Sequence, residues 1–295
     1  MTDPQAELRN LEPKHDFLVA IDSDGCAFDT MEIKHKECFI PNIILHWKLQ
    51  PVSKYARMAA EFVNLYSKWR GINRFPALIM VFDLLKEWEE VKKREVEIPE
   101  ALPLRQWIER ETKLGNPALK AEVEKTGDPI LKQALVWSEA VNAAVAQMVH
   151  GVPPFPYVRQ SLEMVSQWAD IIVCSATPTE ALRREWAEHG IDRYTRLIAG
   201  QEMGSKKEHI YLASHGKYPK ERVLMIGDAP GDMRAAKGNE AKFFPINPGH
   251  EEESWERFFK EGAARFKNNQ YTADYENDLI AEFEKLLPDT PPWKK

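Results

Sequence analysis

Two carboxylates separated by a single residue stand in Asp22-Ser23-Asp24-Gly25, and two more stand in Gly227-Asp228-Ala229-Pro230-Gly231-Asp232. Between them in the chain come Ser175-Ala176-Thr177 and the pair Lys206-Lys207. If the fold gathers these groups, four carboxylates crowd one site, repel one another and require a cation. Carboxylate oxygens with few nitrogen or sulfur donors nearby suit Mg²⁺. A lysine at the start of a helix could add further positive charge. The hydroxyl and backbone N–H groups after Ser175 could hold an anionic ligand.

The elements that must position these groups are legible around them. Phe17–Ile21 is a continuous apolar run with β-branched residues, the pattern of a strand buried on both faces. Asp22 and Asp24 follow it directly, so they belong at the strand's C-terminal mouth, where open α/β sheets bind ligands. Ile171–Cys174 and Val223–Ile226 repeat the pattern and end in Ser175 and in Gly227-Asp228. Leu197–Ala199 and Lys242–Phe244 are two further short strands. Helices are expected over Val158–Trp168, from Thr177-Pro178 to about His189, over Lys206–His215 and over Gly231–Lys237. Glu251–Lys267 and Ala273–Leu287 follow as flanking helices, with Glu251-Glu252-Glu253 favourable at a helix start. Alternating strands and helices imply an α/β fold with a doubly wound, Rossmann-like parallel sheet.

The stretch from Ile33 to Val152 breaks that alternation. Its apolar residues recur at helical spacing in three stripes: Phe62, Leu65, Tyr66 and Trp69; Leu78, Val81, Phe82 and Leu85; and Val136, Val141, Val145 and Met148 within a helix over Ala134–Val149. No strand is expected there. Pro153-Pro154-Phe155-Pro156 closes it, and prolines stiffen such a boundary. The expected organisation is an α/β core over 1–32 and 153–295, with an all-helical cap domain over 33–152 inserted after the first strand. An insertion leaving beside the site is placed to act as a lid.

Composition narrows the partners. The 295 residues carry a formal net charge of -6, whereas nucleic-acid and anionic-membrane binders need a basic face. Neither nucleic acid nor membrane is expected as a partner. The polar N-terminus has no apolar leader pattern, and no apolar run approaches the roughly 20 residues of a membrane span. Cys26, Cys38 and Cys174 show neither paired nor metal-type spacing, as free thiols in a reducing compartment would. A cytoplasmic protein is the resulting expectation.

The four clusters, in this order and on these strand ends, resemble the motifs of the haloacid dehalogenase (HAD) superfamily. Asp22-Ser23-Asp24 is similar to its first motif, Ser175 to its second, Lys206 or Lys207 to its third, and GDAPGD with Asp228 and Asp232 to its fourth. GCAFDT resembles the flap leading into a type 1 helical cap, and PPFPYVRQSL the return hinge. The cap sequence is the least matched part. The resemblance implies that Asp22 attacks phosphorus to form an aspartyl phosphate and that Asp24 serves as general acid and then base. It implies that Ser175 and the Ala176 N–H hold phosphate oxygens and that Lys206 bridges nucleophile and phosphate. Mg²⁺ would bind Asp22, the Asp24 carbonyl oxygen and Asp228, with Asp232 as ligand or support. Asp24 is a residue that the superfamily's dehalogenases lack. A phosphatase acting on a small phosphorylated metabolite is therefore the expectation.

Two positions depart from the family pattern. Cys26 stands where a threonine or β-branched residue is more usual, read as a packing difference. The third motif offers two lysines, and the spacing to Ile210 favours Lys206 over Lys207. Three rival readings share the core: a phosphomutase, a phosphonate hydrolase needing a cap lysine, for which Lys34 and Lys36 match poorly, and a non-catalytic protein that binds phosphorylated ligands. Within the insertion, Arg70, Asn73 and Arg74 interrupt a helical pattern between Gly71 and Pro76. If that bend faces the core, they could recognise a second anionic group on the substrate; otherwise they form a solvated bend between helices.

Overall fold

The computed structural model describes residues 3–294, which divide into two compact units. One comprises Met1–Thr30 and Gly151–Leu286, the other Met31–His150 and Leu287–Lys295. The chain passes between them three times.

The first unit is built on strands too apolar to face water. β1 (Phe17–Ile21), β2 (Ala169–Cys174), β3 (Leu197–Ala199) and β4 (Val223–Gly227) are buried at every residue; β5 (Lys242–Pro245) is buried except at Lys242. They form one sheet of order β3-β2-β1-β4-β5, parallel at every pairing. β1 is central, with Ile21 opposite Val173 of β2 and Ile226 of β4. The chain moves outward from β1 through β2 to β3, then returns to the other side of β1 for β4. That reversal opens a crevice at the C-terminal end of β1. Helices Val158–Val165, Thr179–Glu188, Lys206–Ser214 and Pro230–Lys237 connect the strands. The expected α/β doubly wound parallel sheet is the observed fold.

The helix expected over Glu251–Lys267 is interrupted by a π-turn at Phe258–Gly262. Gly262 explains the detour: a Cβ there would come within 2.8 Å of the Phe244 ring, so the backbone approaches β5 closely at that turn.

Among its described residues the second unit contains helices joined by turns and loops, and no strand. Ser53–Asn64, Arg74–Glu87, Leu102–Arg110, Asn116–Thr126 and Pro129–Met148 are its main helices, with a π-turn at Lys34–Phe39. They enclose a separate core that includes Trp47, Phe75, Phe82, Trp107 and Trp137. Two of the three expected stripes are corrected here. The helix carrying Phe62 ends at Asn64, so Leu65, Tyr66 and Trp69 lie in turns beyond it. In Pro129–Met148, Val136 and Met148 are 45% and 46% exposed, and the buried face is Leu131, Ala134, Leu135, Trp137, Ser138 and Val141. Several apolar residues in succession there allow more than one helical phase, and the indole at Trp137 selects the phase that buries most area. The stripe of Leu78, Val81, Phe82 and Leu85 is fully buried.

Leu287–Lys294 departs from the expected assignment of 153–295 to the α/β core. It packs with the helical unit, where Trp293 stacks on Trp88 at 4.2 Å between ring centroids and 8° between planes. No helix among the described residues is long and apolar enough to cross a membrane.

Candidate active site

β1 delivers Asp22 into the crevice between β2 and β4, where the Asp22 N–H still donates to Ile226 O at 3.0 Å. Asp22 is 4% exposed, Asp228 1% and Asp232 fully buried. One carboxylate oxygen from each lies within 4.8 Å of the other two. Glycine makes this approach possible. A Cβ on Gly227 would fall 2.4 Å from Asp232 Cβ and 2.5 Å from its Cγ, so no larger residue fits between β4 and the helix Pro230–Lys237. Asp232 Oδ2 accepts the Ala229 N–H at 3.1 Å, so the residue caps its own helix while facing the site.

Of the two adjacent lysines, Lys206 is the one that faces the carboxylates. From the first turn of Lys206–Ser214, its Nζ lies 2.6 Å from Asp22 Oδ2 and 2.5 Å from Asp232 Oδ1. Ser205 and Glu208 cap that helix reciprocally, which fixes the lysine's origin. Lys207 points elsewhere, its aliphatic stem against Gly238. Burial disfavours the Lys206 ammonium, but Asp22 and Asp232 outweigh it and hold the lysine pKa well above its ordinary value. Burial, together with Asp232 and Asp228, pushes the Asp22 carboxyl well up despite the lowering effect of Lys206. Three buried carboxylates against one ammonium leave an excess of negative charge. An oxygen-rich donor set with that excess fits a hard divalent cation such as Mg²⁺.

Asp24 is treated differently by the fold. Its carboxylate accepts Thr30 Oγ1–H at Oδ1 and Thr177 Oγ1–H at Oδ2, the latter at 2.8 Å. Its side chain is thus outside the cluster formed by Asp22, Asp228 and Asp232. The sequence marks Thr177 only as part of the cluster after β2 and does not mark Thr30; the relation of Thr177 to Asp24 depends on the parallel register of β1 and β2. Thr177 follows Ser175 by two residues, and its N–H donates to Ser175 Oγ at 3.1 Å. Ser175 is buried at the end of β2, whereas Ala176 is exposed beside it. Gly200 lets this loop close: a Cβ there would lie 2.4 Å from Thr179 N and 2.6 Å from Thr177 O.

Cys26 is packed under the site. Its carbonyl accepts Trp255 Nε1–H at 2.7 Å and its Sγ faces Ile226 O at 3.6 Å. Burial and the neighbouring Asp228 and Asp22 push its thiol well up, so the group stays neutral. Gly25 takes a positive φ of 75°, turning the chain between Asp24 and Cys26.

The structure gathers Asp22, Asp24, Ser175, Ala176, Lys206, Asp228 and Asp232 in one unit. Arg70, Asn73 and Arg74 belong to the other, where each has internal work. The Arg70 guanidinium donates to Leu65 O at 3.0 Å. Asn73 caps Arg74–Glu87 through Phe75 N–H and donates to Leu114 O. Arg74 donates to Ser138 O, Ser138 Oγ and Asn142 Oδ1 and lies over the Phe39 ring. Burial lowers the Arg74 pKa to about 10.

No family model matches the chain, and no curated protein matches it. Solved structures do. One is a HAD-superfamily hydrolase, subfamily IA, from Geobacter sulfurreducens, 14% identical, with a TM-score of 0.40, covering 79% of this chain and 88% of its own. A haloacid dehalogenase-like hydrolase from Streptococcus pneumoniae is 15% identical, with a TM-score of 0.43 and coverage of 90% and 98%. Another from Xanthomonas campestris is 12% identical, with a TM-score of 0.45 and coverage of 87% and 96%.

Proposed function

We propose that this chain is a Mg²⁺-dependent phosphatase that hydrolyses a small phosphomonoester through an aspartyl phosphate on Asp22. The observation carrying this reading is the Lys206 ammonium between Asp22 and Asp232, beside a carboxylate, Asp24, held apart from that cluster. One carboxylate is thereby oriented as nucleophile and another is reserved for proton transfer.

In the first step Asp22 attacks phosphorus, an oxygen–phosphorus bond forms, and the ester oxygen leaves. Asp24 gives that oxygen its proton, so the product is a neutral alcohol. In the second step Asp24 takes a proton from water, the water oxygen attacks phosphorus, and the bond to Asp22 breaks to release inorganic phosphate. Lys206 offsets charge on the transferring group, while Ser175 Oγ and the Ala176 N–H orient its oxygens. Asp22, Asp228 and the Asp24 carbonyl, supported by Asp232, would hold Mg²⁺, which when bound neutralises charge on the phosphoryl oxygens. Asp22 needs to be ionised to attack. Lys206 already favours that form, and a divalent cation at the same carboxylates favours it further.

The test is phosphate release from a panel of small phosphomonoesters, with and without Mg²⁺, for the native chain and Asp22→Asn. Release that depends on Mg²⁺ and disappears in the variant supports the reading. Release that survives Asp22→Asn overturns the nucleophile, and isomerised sugar phosphate without free phosphate makes the enzyme a mutase.

A further inference from the structure

Ser23 is a polar residue where polarity is costly. It stands between Asp22 and Asp24 at the mouth of β1 and is fully buried. A hydroxyl taken out of water lowers stability unless its hydrogen bonds are made. Here they are. The Trp186 Nε1–H donates to Ser23 Oγ at 2.9 Å, and the Ser23 hydroxyl donates to Glu185 Oε2 at 3.1 Å. The second bond ends on a carboxylate and is of the stronger, charge-assisted kind. Glu185 and Trp186 are neighbours on the helix Thr179–Glu188, which buries Leu182 and Trp186 along one face. That helix belongs to the same unit as β1.

The main chain of Ser23 is engaged as fully as its side chain. Its N–H donates to Asp22 Oδ1 at 2.8 Å, while Asp22 Oδ2 faces Lys206. Its carbonyl accepts the N–H groups of Ala27 at 2.9 Å and Phe28 at 3.1 Å, and Phe28 O accepts the Gly25 N–H at 2.8 Å. Asp24 is thus enclosed in a short hydrogen-bonded loop that begins at Ser23 and ends at Phe28. Trp186 touches both ends of it. Its N–H holds Ser23, and its ring meets the Phe28 ring edge-on, 5.7 Å between centroids and 77° between planes. Trp186 is itself fully buried, so packing holds the indole in place. A buried polar network whose members are satisfied specifies one arrangement.

We propose that Trp186 is a positioning residue: through Ser23 Oγ and the Phe28 ring it holds residues 23–28 in the conformation that turns the Ser23 N–H onto Asp22 and presents Asp24. The consequence for catalysis rests on the phosphatase reading above; the bracing of the loop does not. A rotation of Ser23 releases Asp22 Oδ1 from its N–H and carries Asp24 with it. Reacting groups displaced by about 1 Å can lose roughly a hundredfold in rate.

The test uses Ser23→Ala, Trp186→Phe and the double variant. Ser23→Ala removes a single oxygen, and Trp186→Phe removes the N–H donor while keeping a ring against Phe28. Amide exchange at residues 23–28 reads the loop directly and needs no substrate. The expected result is faster exchange there in both single variants, with β2 and β4 as protected as in the native chain. On the preferred phosphomonoester, kcat should fall by about tenfold to a hundredfold in each, with KM and the pH profile nearly unchanged. The double variant should be little worse than Ser23→Ala, because both substitutions remove the same bond. Native exchange at residues 23–28 in Ser23→Ala overturns the brace. Faster exchange with native kcat overturns its role in catalysis. If Trp186→Phe also loosens β2 and β4, Ser23→Ala decides. A native chain that releases no phosphate overturns the phosphatase reading instead, and exchange still decides the brace.

Discussion

The Thr177 hydroxyl donates to Asp24 Oδ2 at 2.8 Å, so a residue from the loop after β2 fixes a carboxylate from the loop after β1. The orientation of the proposed acid therefore depends on the pairing of two strands far apart in sequence. Thr177→Val should lower kcat by about tenfold and leave KM nearly unchanged, since a misoriented acid loses part of the contribution of general catalysis. Thr177→Ser keeps the hydroxyl and should retain most of the rate. A kinetic comparison of the three proteins, including their pH profiles, checks this; equal kcat in the valine variant would remove Thr177 from the mechanism.

Lys206→Met should abolish activity, by about a thousandfold or more, because the transferring phosphoryl group loses its fixed cation. It should also destabilise the fold by about 3–5 kcal/mol, because the carboxylates of Asp22 and Asp232 lose their partner in a buried place. Urea unfolding measures the second effect. Lys207→Met, whose stem packs against Gly238, should leave the rate close to native.

Magnesium should raise the thermal midpoint of the native chain, as any ligand of the folded state does. The rise should shrink sharply in Asp228→Asn, which removes charge from the cluster of Asp22, Asp228 and Asp232. Differential scanning calorimetry with Mg²⁺ and with a chelator reads this without substrate. An identical rise in both proteins would place the cation elsewhere.

His209 predicts a pH dependence of stability. Burial, then the charge of Lys206, lowers its pKa to about 4, below the ordinary histidine value of about 6.5. A folded-state pKa below the unfolded one means that the unfolded chain binds the proton first. The contribution is full above about pH 6.5 and is lost as pH falls toward 4, amounting to something on the order of 3 kcal/mol. Urea unfolding at pH 7 and pH 4.5 should show a loss that is smaller in His209→Gln. The same loss in both proteins would assign the acid sensitivity to other groups.

The α/β unit was legible because its signals are local. An apolar run such as FLVAI has one stable environment, a strand covered on both faces, and the polar residues after it can only stand at its end. The clusters at Asp22, Ser175 and Asp228 followed from that placement alone. Other features depend on partners distant in sequence. Thr177 acquires its relation to Asp24 through the sheet register, and Trp293 finds Trp88 across most of the chain. Neither pairing leaves a periodicity. In the helical unit the apolar content is high enough that spacing admits several phases, and packing around Trp137 decides among them.

The position of β1 in the sheet bears on how the molecule is made. This strand, apolar along its length, is synthesised before the helical insertion, but its neighbours are β2 and β4, which follow the whole of it. At ribosomal rates of about 5–20 residues per second, the delay is on the order of ten seconds before β2 can cover it. During that interval FLVAI is an unpaired hydrophobic edge while the residues of the insertion are already collapsing. The nascent chain is thus most exposed to aggregation while the insertion is being made, and a chaperone that holds Phe17–Ile21 in that interval would protect the strand on which the entire sheet is later assembled.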